Sequence, residues 1–555
     1  MSDLRPTAVI VLAAGEGTRM KSTTPKVLHT IGGRSLVAHA IRAARGTSPH
    51  HLAVVVRHER DRVAEHVSQV DPDAVVADQD DVKGTGRAVE CALEALPADL
   101  SGTVVVTYGD VPLLTSETLE GLVAAHHASG SAVTVITATL DDPTGYGRVL
   151  RDETGAVAAI VEQKDADEEQ RAIREVNSGL YAFDVAVLRE ALAEVGTDNA
   201  QGEKYLTDVI AIARGRGLAV RAHLVADLWQ TEGVNDKVQL ARLGAELNRR
   251  TVEQAMRDGA IVIDPATTWI DADVTIGPDT VVRPNTQIHG ATTIGRDCVI
   301  GPDTTLTDVE VGDGASVVRT QAELAEIGPG ATVGPFSYLR PGTRLGAKGK
   351  IGGFVETKNA VIGDGAKVPH LTYCGDATIG EGANIGAGTI FANYDGVTKG
   401  HTNVGAHSFV GSNSVVVAPR HIGDGAYVAA GSAVVSDVAP GQLAVTRAQQ
   451  RNIDGWVARR RAGTKTDEAA QAALAGDAQT GDARTGDART GAQADARARA
   501  RAEARGDAEA AAEAEAALAS EPGAVSPNDR LSRHAGDSAA DSAIDSTTET
   551  KDAQR

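Results

Sequence analysis

Two hydrophobic patterns divide the chain into regions of different construction. Over residues 7–237, short continuous apolar runs rich in Val alternate with stretches whose apolar residues recur at helical spacing. Over residues 264–437, an aliphatic residue followed by Gly returns repeatedly, often at multiples of six residues, as at Ile294 and Ile300. The first pattern is typical of buried strands separated by helices, and the second is a hexapeptide repeat.

The first pattern predicts a doubly wound α/β domain with buried parallel strands. The predicted strands are at 8–13, 52–56, 104–107 and 132–136, and the predicted helices at 36–45, 60–70 and 85–96. In such a sheet, ligands bind beyond the carboxyl ends of the strands. The loops after the first and third of these strands are therefore the first places to look for chemistry.

The six-residue repeat predicts a parallel β-helix. A period of six fits neither a helix of 3.6 residues per turn nor a lone strand, but it fits three short strands per coil. The aliphatic residue then points inward and stacks on its counterpart one coil above, which makes the core a column of Ile and Val. Regular coils of this kind are often only a scaffold, so function is expected where the repeat breaks.

Two further segments differ from both domains. Leu240, Leu243 and Leu247 lie at helical spacing and predict a connecting helix that stops near Gly259. From residue 461 the composition shifts to Ala, Asp, Arg, Glu, Thr and Gly, which predicts a disordered low-complexity tail. The predicted divisions are 1–235, 236–259, 260–460 and 461–555.

Composition excludes several classes of function. The net charge is −21 and the chain has no basic stripe with interleaved aromatic residues, so we expect no nucleic-acid partner. Cys91, Cys298 and Cys374 are scattered without metal-ligand spacing, as is usual in a reducing cytoplasm. The sequence shows neither a signal peptide before the first strand nor an apolar run long enough to span a membrane. We expect a soluble cytoplasmic protein without a membrane span.

The loop after the first predicted strand indicates a nucleotide site. It contains Gly15 and Gly17, followed by Arg19 and Lys26. Glycine amides can close on phosphate oxygens, and the two cations bring fixed positive charge to the same place. The third glycine of the dinucleotide fingerprint and the Gly-Lys-Ser/Thr ending of a P-loop are both missing. Neither a dehydrogenase nor a P-loop phosphohydrolase is therefore favoured.

A carboxylate follows the third long strand. Asp110 faces the same crevice as the glycine loop, where it is well placed to hold Mg²⁺ against a triphosphate. Taken alone, Asp110 is equally typical of a turn or a helix N-cap. The combination with the glycine loop favours the metal interpretation.

These segments resemble the sugar-1-phosphate nucleotidyltransferases. The resemblance rests on short stretches at 12–20, 25–28, 84–86, 108–112, 142–148, 176–179 and 232–235. With a hexapeptide domain behind them, residues 7–460 resemble the bacterial bifunctional UDP-N-acetylglucosamine pyrophosphorylases and glucosamine-1-phosphate N-acetyltransferases. The implied architecture is an α/β Rossmann-like nucleotidyltransferase domain, then a left-handed parallel β-helix, then the tail.

The resemblance implies roles for residues of the first domain. Asp110 and Asn235 would hold Mg²⁺, while Arg19 and Lys26 would offset the charge that develops as pyrophosphate leaves UTP. The implied nucleotide and sugar contacts are Leu12, Ala13, Ala14, Gly15, Lys26, Gln79, Gly84, Thr85, Tyr108, Gly109, Gly147, Glu162, Asn177 and Asn235. Gly147, Glu162 and Asn177 would hold N-acetylglucosamine 1-phosphate by its sugar.

The repeat breaks at two places that flank a histidine. The first break places Arg340 and Lys358 beside Glu356, and the second, at 391–400, is polar and predicted to be a loop. The resemblance implies that His370, between them, is the general base that takes a proton as glucosamine 1-phosphate attacks acetyl-CoA. An imidazole suits this role because its ordinary pKa of about 6.5 lies near working pH. Glu356 would orient His370.

The remaining implied contacts belong to the same acetyl transfer. The sugar-phosphate contacts would be Arg340, Lys358, Tyr373, Asn384, Asn393 and Tyr394, and the acetyl-CoA contacts would be Ser412, Ala430 and Arg447. Hexapeptide acyltransferases form trimers, so the resemblance implies a homotrimer. The implied product, UDP-N-acetylglucosamine, is a precursor of the cell wall.

The sequence departs from the family pattern at several positions. Residues 80–83 replace a common Glu-Gln-Leu, and Arg87 stands where His is common. Gly353 replaces a usual Asn, and Cys374 a common Leu. A catalytic thiol at Cys374 is disfavoured, because neighbouring positions on a strand face opposite ways and Cys374 follows Tyr373.

Two alternative functions remain open from the sequence. One keeps only the nucleotidyltransferase and treats the β-helix as an assembly or regulatory domain. The other is a purely structural or binding protein, which would leave Lys26, Asp110 and Asn235 as a coincidence.

Overall fold

The computed structural model describes residues 5–481. These residues form two compact units, one that ends at Ala448 and one that begins at Gln449. The first unit contains an α/β domain, a connecting helix and a β-helix. In the described part of the chain, no helix is both long enough and apolar enough to cross a membrane.

The α/β domain is built on one twisted sheet with helices on both faces. Its strands are β1 (Ala8–Leu12), β2 (Thr30–Ile31), β3 (Arg34–Ser35), β4 (His51–Val56), β5 (Val75–Asp78), β6 (Thr103–Tyr108), β7 (Val133–Thr139), β8 (Arg148–Arg151), β9 (Val157–Val161), β10 (Glu175–Asp184) and β11 (Val220–Leu224). Its helices are α1 (Leu36–Gly46), α2 (Arg60–Val70), α3 (Thr85–Ala95), α4 (Ser116–Ser129), α5 (Glu168–Arg171), α6 (Val185–Glu194) and α7 (Asp208–Gly215). The predicted strands and helices are thus all present.

The strand order of the sheet is β11-β7-β10-β6-β1-β4-β5. β1, β4, β5 and β6 pair in parallel, as the apolar runs predicted. β7 also runs in the same direction as β6 and pairs in parallel with β11, but the antiparallel β10, which the sequence did not predict, lies between β7 and β6. Burial on both faces makes a strand uniformly apolar whichever way its neighbour runs, so the sequence pattern did not contain this direction.

Side chains on the two faces of the sheet pack into two separate apolar cores. Along β1, Ala8, Ile10 and Leu12 pack into one cluster, while Val9 and Val11 pack into the other. This alternation follows from the two-residue period of a strand. Because both faces are covered, only the carboxyl edge of the sheet remains open for a ligand.

The predicted connecting helix is α8 (Lys237–Arg257). Its N-terminus is capped by Asp236, whose carboxylate accepts from the backbone N–H groups of Val238 and Gln239 at 2.9 and 2.8 Å. The buried side chain of Asn248 donates to the carbonyl of Thr268 at 2.8 Å and accepts from the N–H of Ile270 at 2.9 Å. α8 is therefore fastened by hydrogen bonds to the first coil of the β-helix.

The β-helix consists of short parallel strands stacked coil on coil. One sheet contains Ile261–Val262, Val281–Val282, Val299–Ile300, Ser316–Val317, Thr332–Val333, Lys350–Gly353, Lys367–His370, Asn384–Ile385, Phe409–Val410, Tyr427–Val428 and Leu443–Ala444. A second, folded sheet contains Trp269–Ile270, Thr275–Ile276, Thr286–His289, Thr293–Ile294, Thr304–Thr307, Glu310–Val311, Thr320–Glu323, Glu326–Ile327, Ser337–Leu339, Arg344–Leu345, Glu356–Ile362, Tyr373–Ile379, Ile390–Ala392, Thr402–Val404, Val415–Val417, Arg420–Ile422 and Ala433–Val434.

The predicted column of aliphatic residues is confirmed. Val282, Ile300, Val317, Val333 and Ile351 are register partners in successive coils and are buried. Each buries an apolar side chain against its copy above and below, which is the main driving force for stacking the coils.

One coil is longer than its neighbours. Asn384 pairs with Phe409, a larger step along the chain than any other between successive strands of that sheet. The extra residues form the predicted loop, closed by a bridge between Tyr394 and Lys399. Asp395 holds its turn by accepting from the N–H groups of Val397 and Thr398 at 2.8 and 2.7 Å.

The described part of the tail contains a helix that composition did not predict. The prediction of disorder from residue 461 was wrong for Lys465–Gly481, which is helical. A scarcity of apolar residues argues against a packed core, but Ala and Gln are strong helix formers. Thr464 and Asp467 also cap the first turn, where the Asp467 carboxylate accepts from the N–H of Gly463 at 3.1 Å. Residues 482–555 lie outside the described residues.

Two adjacent glycines in the strand Lys350–Gly353 give a test of coil stacking. A Cβ on Gly352 would lie 1.9 Å from the carbonyl oxygen of Pro369 in the next coil, whereas a Cβ on Gly353 would approach no neighbour more closely than 3.4 Å. We expect Gly352→Ala to destabilise the β-helix by about 1–3 kcal/mol because the coils must separate, seen as a lower midpoint of thermal unfolding. Gly353→Ala is the matched control, and an equal effect of the two changes would contradict this account.

Candidate functional sites

A cavity of about 390 Å³ opens at the carboxyl edge of the α/β sheet. Predicted site residues that line it are Leu12, Ala13, Ala14, Gly15, Lys26, Gln79, Gly84, Thr85, Tyr108 and Asp110. They come from the loops after β1, β5 and β6, which the parallel pairing brings to one edge. The structure therefore gathers into one place residues that are up to about a hundred positions apart in sequence.

Opposite charges are paired at the floor of this cavity. The Lys26 ammonium contacts the Asp110 carboxylate, and both side chains are largely buried. Arg19 donates to the amide oxygen of Asn235 at 2.8 Å. The N–H of Val234 donates to the carbonyl of Asp110 at 2.9 Å, which brings Asn235 close to Asp110 across the long sequence gap.

The oxygen atoms of Asp110 and Asn235 suit a hard divalent cation. Carboxylate and amide oxygens are ligands of Mg²⁺, which typically takes only one or two protein groups and completes its shell with water and phosphate. In the structure the Lys26 ammonium contacts the Asp110 carboxylate, and Arg19 donates to the amide oxygen of Asn235. Both groups of oxygen atoms therefore already attract positive charge. No cluster of three or more His, Cys, Asp or Glu side chains suited to a metal exists within residues 5–481.

The predicted sugar contacts form a neighbouring group. The N–H of Asn177 donates to the carbonyl of Gly147 at 2.9 Å, and a Cβ on Gly147 would lie 3.5 Å from the Glu162 carboxylate. Burial, with smaller effects from Asp165 and Asp208, raises the pKa of Glu162. Gly147, Glu162 and Asn177 do not line the cavity itself.

Tyr108 connects the nucleotide and sugar groups. Its ring lines the cavity and packs so closely on Gly179 that a Cβ there would lie 2.2 Å from a ring carbon. Burial raises the pKa of Tyr108, and the charges of Glu162 and Asp110 raise it further. Gly109, the next predicted contact, donates its N–H to the carbonyl of Leu12 at 2.9 Å and so ties the start of the loop after β6 to the end of β1.

Four charged residues of the cavity lining were missed from the sequence, namely Glu16, Arg57, Lys83 and Glu203. Arg57 directly follows β4 and contacts Glu16 at 3.0 Å, so the rule for carboxyl edges would have found it. Lys83 belongs to the unusual segment at 80–83, which marked it for attention. Glu203 comes from a distant segment, and no pattern in the sequence pointed to it.

A second polar site lies on the outer surface of the β-helix. Tyr338, Glu356 and Tyr373 are register partners in successive coils. Arg340 donates to Glu356 at 2.9 Å. Glu356 was expected to orient His370, but in the described residues it contacts Arg340 and no hydrogen bond joins it to His370.

Glu356 and His370 are separated because they lie on different sheets. Glu356 pairs with Tyr373, whereas His370 ends another strand and pairs with Gly353. The His370 ring is exposed, and its carbonyl accepts from Thr372 Oγ1 at 2.8 Å. Asn384, in the same sheet as His370, pairs with Lys367.

A cluster of cations forms beside Tyr373. The Lys399 ammonium lowers the pKa of Lys358, and the charge of Arg340 makes a smaller contribution in the same direction. Lys399 was missed among the predicted contacts, although it lies in the loop at 391–400 that the sequence singled out. Three cations without enough carboxylates to neutralise them are suited to bind a phosphate.

Asn393 links this cation cluster to Tyr373. Its amide nitrogen donates to the Tyr373 hydroxyl at 3.4 Å and to the Asp376 carboxylate at 2.5 Å. Burial raises the pKa of Asp376, but hydrogen bonds from Asn359 and Asn393 and the nearby lysines bring it below its usual value. Tyr394, farther along the loop, is exposed and donates to the carbonyl of Gly396 at 2.6 Å.

The residues predicted to contact acetyl-CoA lie near one another in later coils. The N–H of Gly431, next to Ala430, donates to the carbonyl of Ser412 at 2.8 Å. A Cβ on Gly431 would lie 4.0 Å from the Arg447 side chain. Cys374 is fully buried, and burial raises the pKa of its thiol to about 12, so it does not act as a nucleophile.

The chain matches three families of known domains. Residues 9–178 match the MobA-like NTP transferase domain. Residues 273–308 match the bacterial transferase hexapeptide (six repeats), and residues 402–436 match the hexapeptide repeat of succinyl-transferase. The first match contains much of the cavity lining, and the other two lie in the β-helix.

Several relatives match the chain over most of its length. The chain is 62% identical over 468 residues to the bifunctional protein GlmU of Kineococcus radiotolerans, across 84% of this chain and 95% of that protein. It is 62% identical over 477 residues to the bifunctional protein GlmU of Pseudarthrobacter chlorophenolicus, across 86% and 97%. It is 58% identical over 470 residues to the bifunctional protein GlmU of Corynebacterium glutamicum, across 84% and 97%.

The cation cluster predicts a specific effect of Lys399. We expect Lys399→Met to weaken the binding of a sugar phosphate about tenfold, because one charged hydrogen bond to the phosphate is lost. Isothermal titration calorimetry, with the sugar phosphate as the titrant, measures this affinity for each variant. Lys348→Met is the matched control, since Lys348 is an exposed lysine at another corner of the β-helix. Equal binding by the Lys399→Met variant and the unchanged protein would rule out the cluster as a phosphate site.

Proposed function

Because the chain belongs to the family of bifunctional GlmU proteins, we propose that its two sites carry out the two reactions of that family separately. It transfers the acetyl group of acetyl-CoA to glucosamine 1-phosphate, and then the uridylyl group of UTP to N-acetylglucosamine 1-phosphate. We assign the second reaction to residues 1–235 and the first to residues 260–460. The product serves the synthesis of cell-wall precursors.

The presence of two separate charged sites, one in each domain, carries this proposal. The cavity with Lys26 and Asp110 suits a nucleotide, and the cluster of Arg340, Lys358 and Lys399 suits a sugar phosphate. A nucleotidyltransferase with a merely structural β-helix would have no use for the second cluster. This is why we favour two activities over one.

In uridylyl transfer, the sugar phosphate oxygen attacks the α-phosphorus of UTP and pyrophosphate leaves. We propose that Lys26 and Arg19 stabilise the negative charge that builds up on the phosphates. Asp110 and Asn235 hold these two cations in place before substrate arrives. The attacking phosphate is already an anion, so the reaction requires no side-chain base.

We propose that Asp110 and Asn235 hold Mg²⁺ when the nucleotide is bound. Bound there, the ion would supply positive charge to the phosphate oxygens. Lys26 and Arg19 would then turn from these oxygens to the phosphates themselves. Gln79, Gly84 and Thr85 bind the nucleoside side, and Gly147, Glu162 and Asn177 hold the sugar.

In acetyl transfer, we propose that His370 takes the proton of the 2-amino group as it attacks the thioester. Arg340, Lys358 and Lys399 hold the phosphate of the amino sugar, and Glu356 holds Arg340 in position. Tyr373, Asn384, Asn393 and Tyr394 supply further polar contacts. Ser412, Ala430 and Arg447 bind CoA.

We further propose that the enzyme acts in the cytoplasm as a homotrimer. The outer face of the last coils supports an association between subunits, because Phe409 and Tyr427 stack at 5.6 Å and Leu443 is 65% exposed beyond them. Exposed apolar surface of this kind is often covered by another protein surface. Sedimentation of the purified protein measures the number of subunits.

Separate assays of the two reactions test the assignment of sites. We expect His370→Ala to reduce CoA release by about two to four orders of magnitude, because the general base is lost. The same variant should form pyrophosphate at an unchanged rate from UTP, Mg²⁺ and N-acetylglucosamine 1-phosphate. Asp110→Ala should show the reverse, so each variant's intact reaction is its own control for folding. Full acetyl transfer by the His370→Ala variant would contradict the role of His370.

Removal of the tail tests whether it takes part in either reaction. We expect a chain that ends at Arg460 to retain kcat/KM for both reactions within about twofold, because the assigned site residues all precede it. The relatives support this, since they match only about 84% of the chain over nearly their whole length. Loss of either reaction would show that the tail contributes to that site.

A further inference from the structure

The two departures from the family pattern beside the nucleotide cavity contact each other. Arg87, in the first turn of α3, donates to Asp80 from Nη2 at 2.8 Å and from Nε at 3.0 Å. Its Nη1 donates to Glu94 at 2.8 Å and to Glu90 at 3.2 Å. Arg87 thus bridges the segment before α3 to two carboxylates on α3 itself.

Glu90 extends this network to the other side of the segment. One of its oxygens contacts Arg87, and the other contacts the Lys204 ammonium. Arg87, Glu90 and Lys204 are each only about a fifth exposed or less, at 21%, 17% and 14%. Such partly buried and shared contacts are weakened less by solvent than a single pair on the surface.

The backbone of Lys204 packs directly on the start of α3. Its carbonyl accepts from the N–H of Gly86 at 2.8 Å, and its N–H donates to the carbonyl of Lys83 at 2.9 Å. Gly84 has a φ of 116°, and a Cβ there would lie 2.2 Å from the Lys204 carbonyl oxygen. Residues 83–86 are therefore held from one side by Lys204 and from the other by Asp80 and Arg87.

The clamped segment forms part of the cavity wall, although the clamp does not. Gln79, Lys83, Gly84 and Thr85 line the cavity, whereas Asp80, Arg87, Glu90 and Lys204 do not. Gln79 also donates to the carbonyls of Val82 and Gly84 at 3.0 and 3.2 Å, which ties the two ends of the segment together. Any loosening of the clamp would change the wall without removing a contact to the ligand.

The ionisation states of Arg87 and Asp80 agree with this geometry. The hydrogen bonds from Arg87 lower the pKa of Asp80, which keeps Asp80 ionised across the working range of pH. Because α3 is rigid and carries two of the three carboxylates, Arg87 has little freedom to leave the segment.

We propose that Arg87 is a positioning residue that, through Asp80, holds residues 79–84 in the conformation that binds the nucleoside of UTP. This rests on the proposed uridylyl transfer and extends it to the selection of the base. Arg87 touches no substrate in this account. Its effect is on nucleotide affinity and discrimination, not on the chemical step or on the sugar phosphate.

Steady-state pyrophosphate assays with Arg87→Met test the proposal. We expect the KM for UTP to rise roughly five- to tenfold, while kcat and the KM for N-acetylglucosamine 1-phosphate change by less than about twofold. The ratio of kcat/KM for UTP over CTP should fall, because a looser wall reads the base less strictly. Arg87→Lys, which keeps the charge, should recover part of the loss.

A coupling experiment checks that Arg87 acts through Asp80. Asp80→Asn should raise the KM for UTP in the same direction, and the double variant should lose little more than the worse single variant. Arg216→Met is the matched control, since Arg216 bridges Glu190 at 2.9 Å and Glu194 away from the cavity. We expect it to leave all these constants unchanged.

If the unchanged enzyme forms pyrophosphate, any one of three results would overturn the proposal. They are an unaltered KM for UTP in Arg87→Met, fully additive effects of Arg87 and Asp80, or an equal rise in the KM for the sugar phosphate. An unchanged kcat for pyrophosphate formation reports that the α/β domain of each variant is folded, because that domain carries the uridylyl-transfer site. If the unchanged enzyme formed no pyrophosphate, the assignment of uridylyl transfer would fail first, and this inference with it.

Discussion

The parallel pairing of each coil with the next is the constraint on which the β-helix and its site both depend. It places Val282 over Ile300 and Ile300 over Val317 inside. The same register places Glu356 beside Tyr373 on the outer surface of the β-helix. Inward stacking buries apolar surface, and outward stacking brings polar side chains from different coils within hydrogen-bonding distance. A site on such a surface therefore follows from the spacing of the core residues. A single loop inserted at one corner adds Lys399 and Asn393 without disturbing the register.

The nucleotide site follows a different principle, because its residues converge from loops at one edge of a sheet. Charged side chains that converge on one site repel one another or lose their hydration, which costs free energy unless they are paired. In the cavity Lys26 is paired with Asp110, and nearby Arg19 donates to the amide oxygen of Asn235. Arg87 extends this arrangement outward, since it fixes a wall of the cavity through carboxylates that never reach the ligand.

The helix α8 joins the α/β domain and the β-helix into one compact unit. Asn248 satisfies buried backbone groups at the first coil, where no preceding coil is present to pair with them. Arg34, in the hairpin of β2 and β3, reaches the same coil through Asp273. The open end of the β-helix is thereby covered by the α/β domain and its helix.

Local patterns in the sequence were enough to identify both folds, the helix α8, the loop at 391–400 and most of the nucleotide cavity. They succeeded because period, glycine placement and the carboxyl-edge rule each depend on neighbouring residues. The antiparallel β10 and the helix Lys465–Gly481 escaped them, since strand direction leaves no trace in a fully buried run and helix propensity does not require a core. The partner of Glu356, the cation cluster with Lys399 and the contact of Arg87 with Asp80 depended on which segments pack together. Side-chain pairing across long sequence gaps is settled by packing and burial, which no local pattern contains.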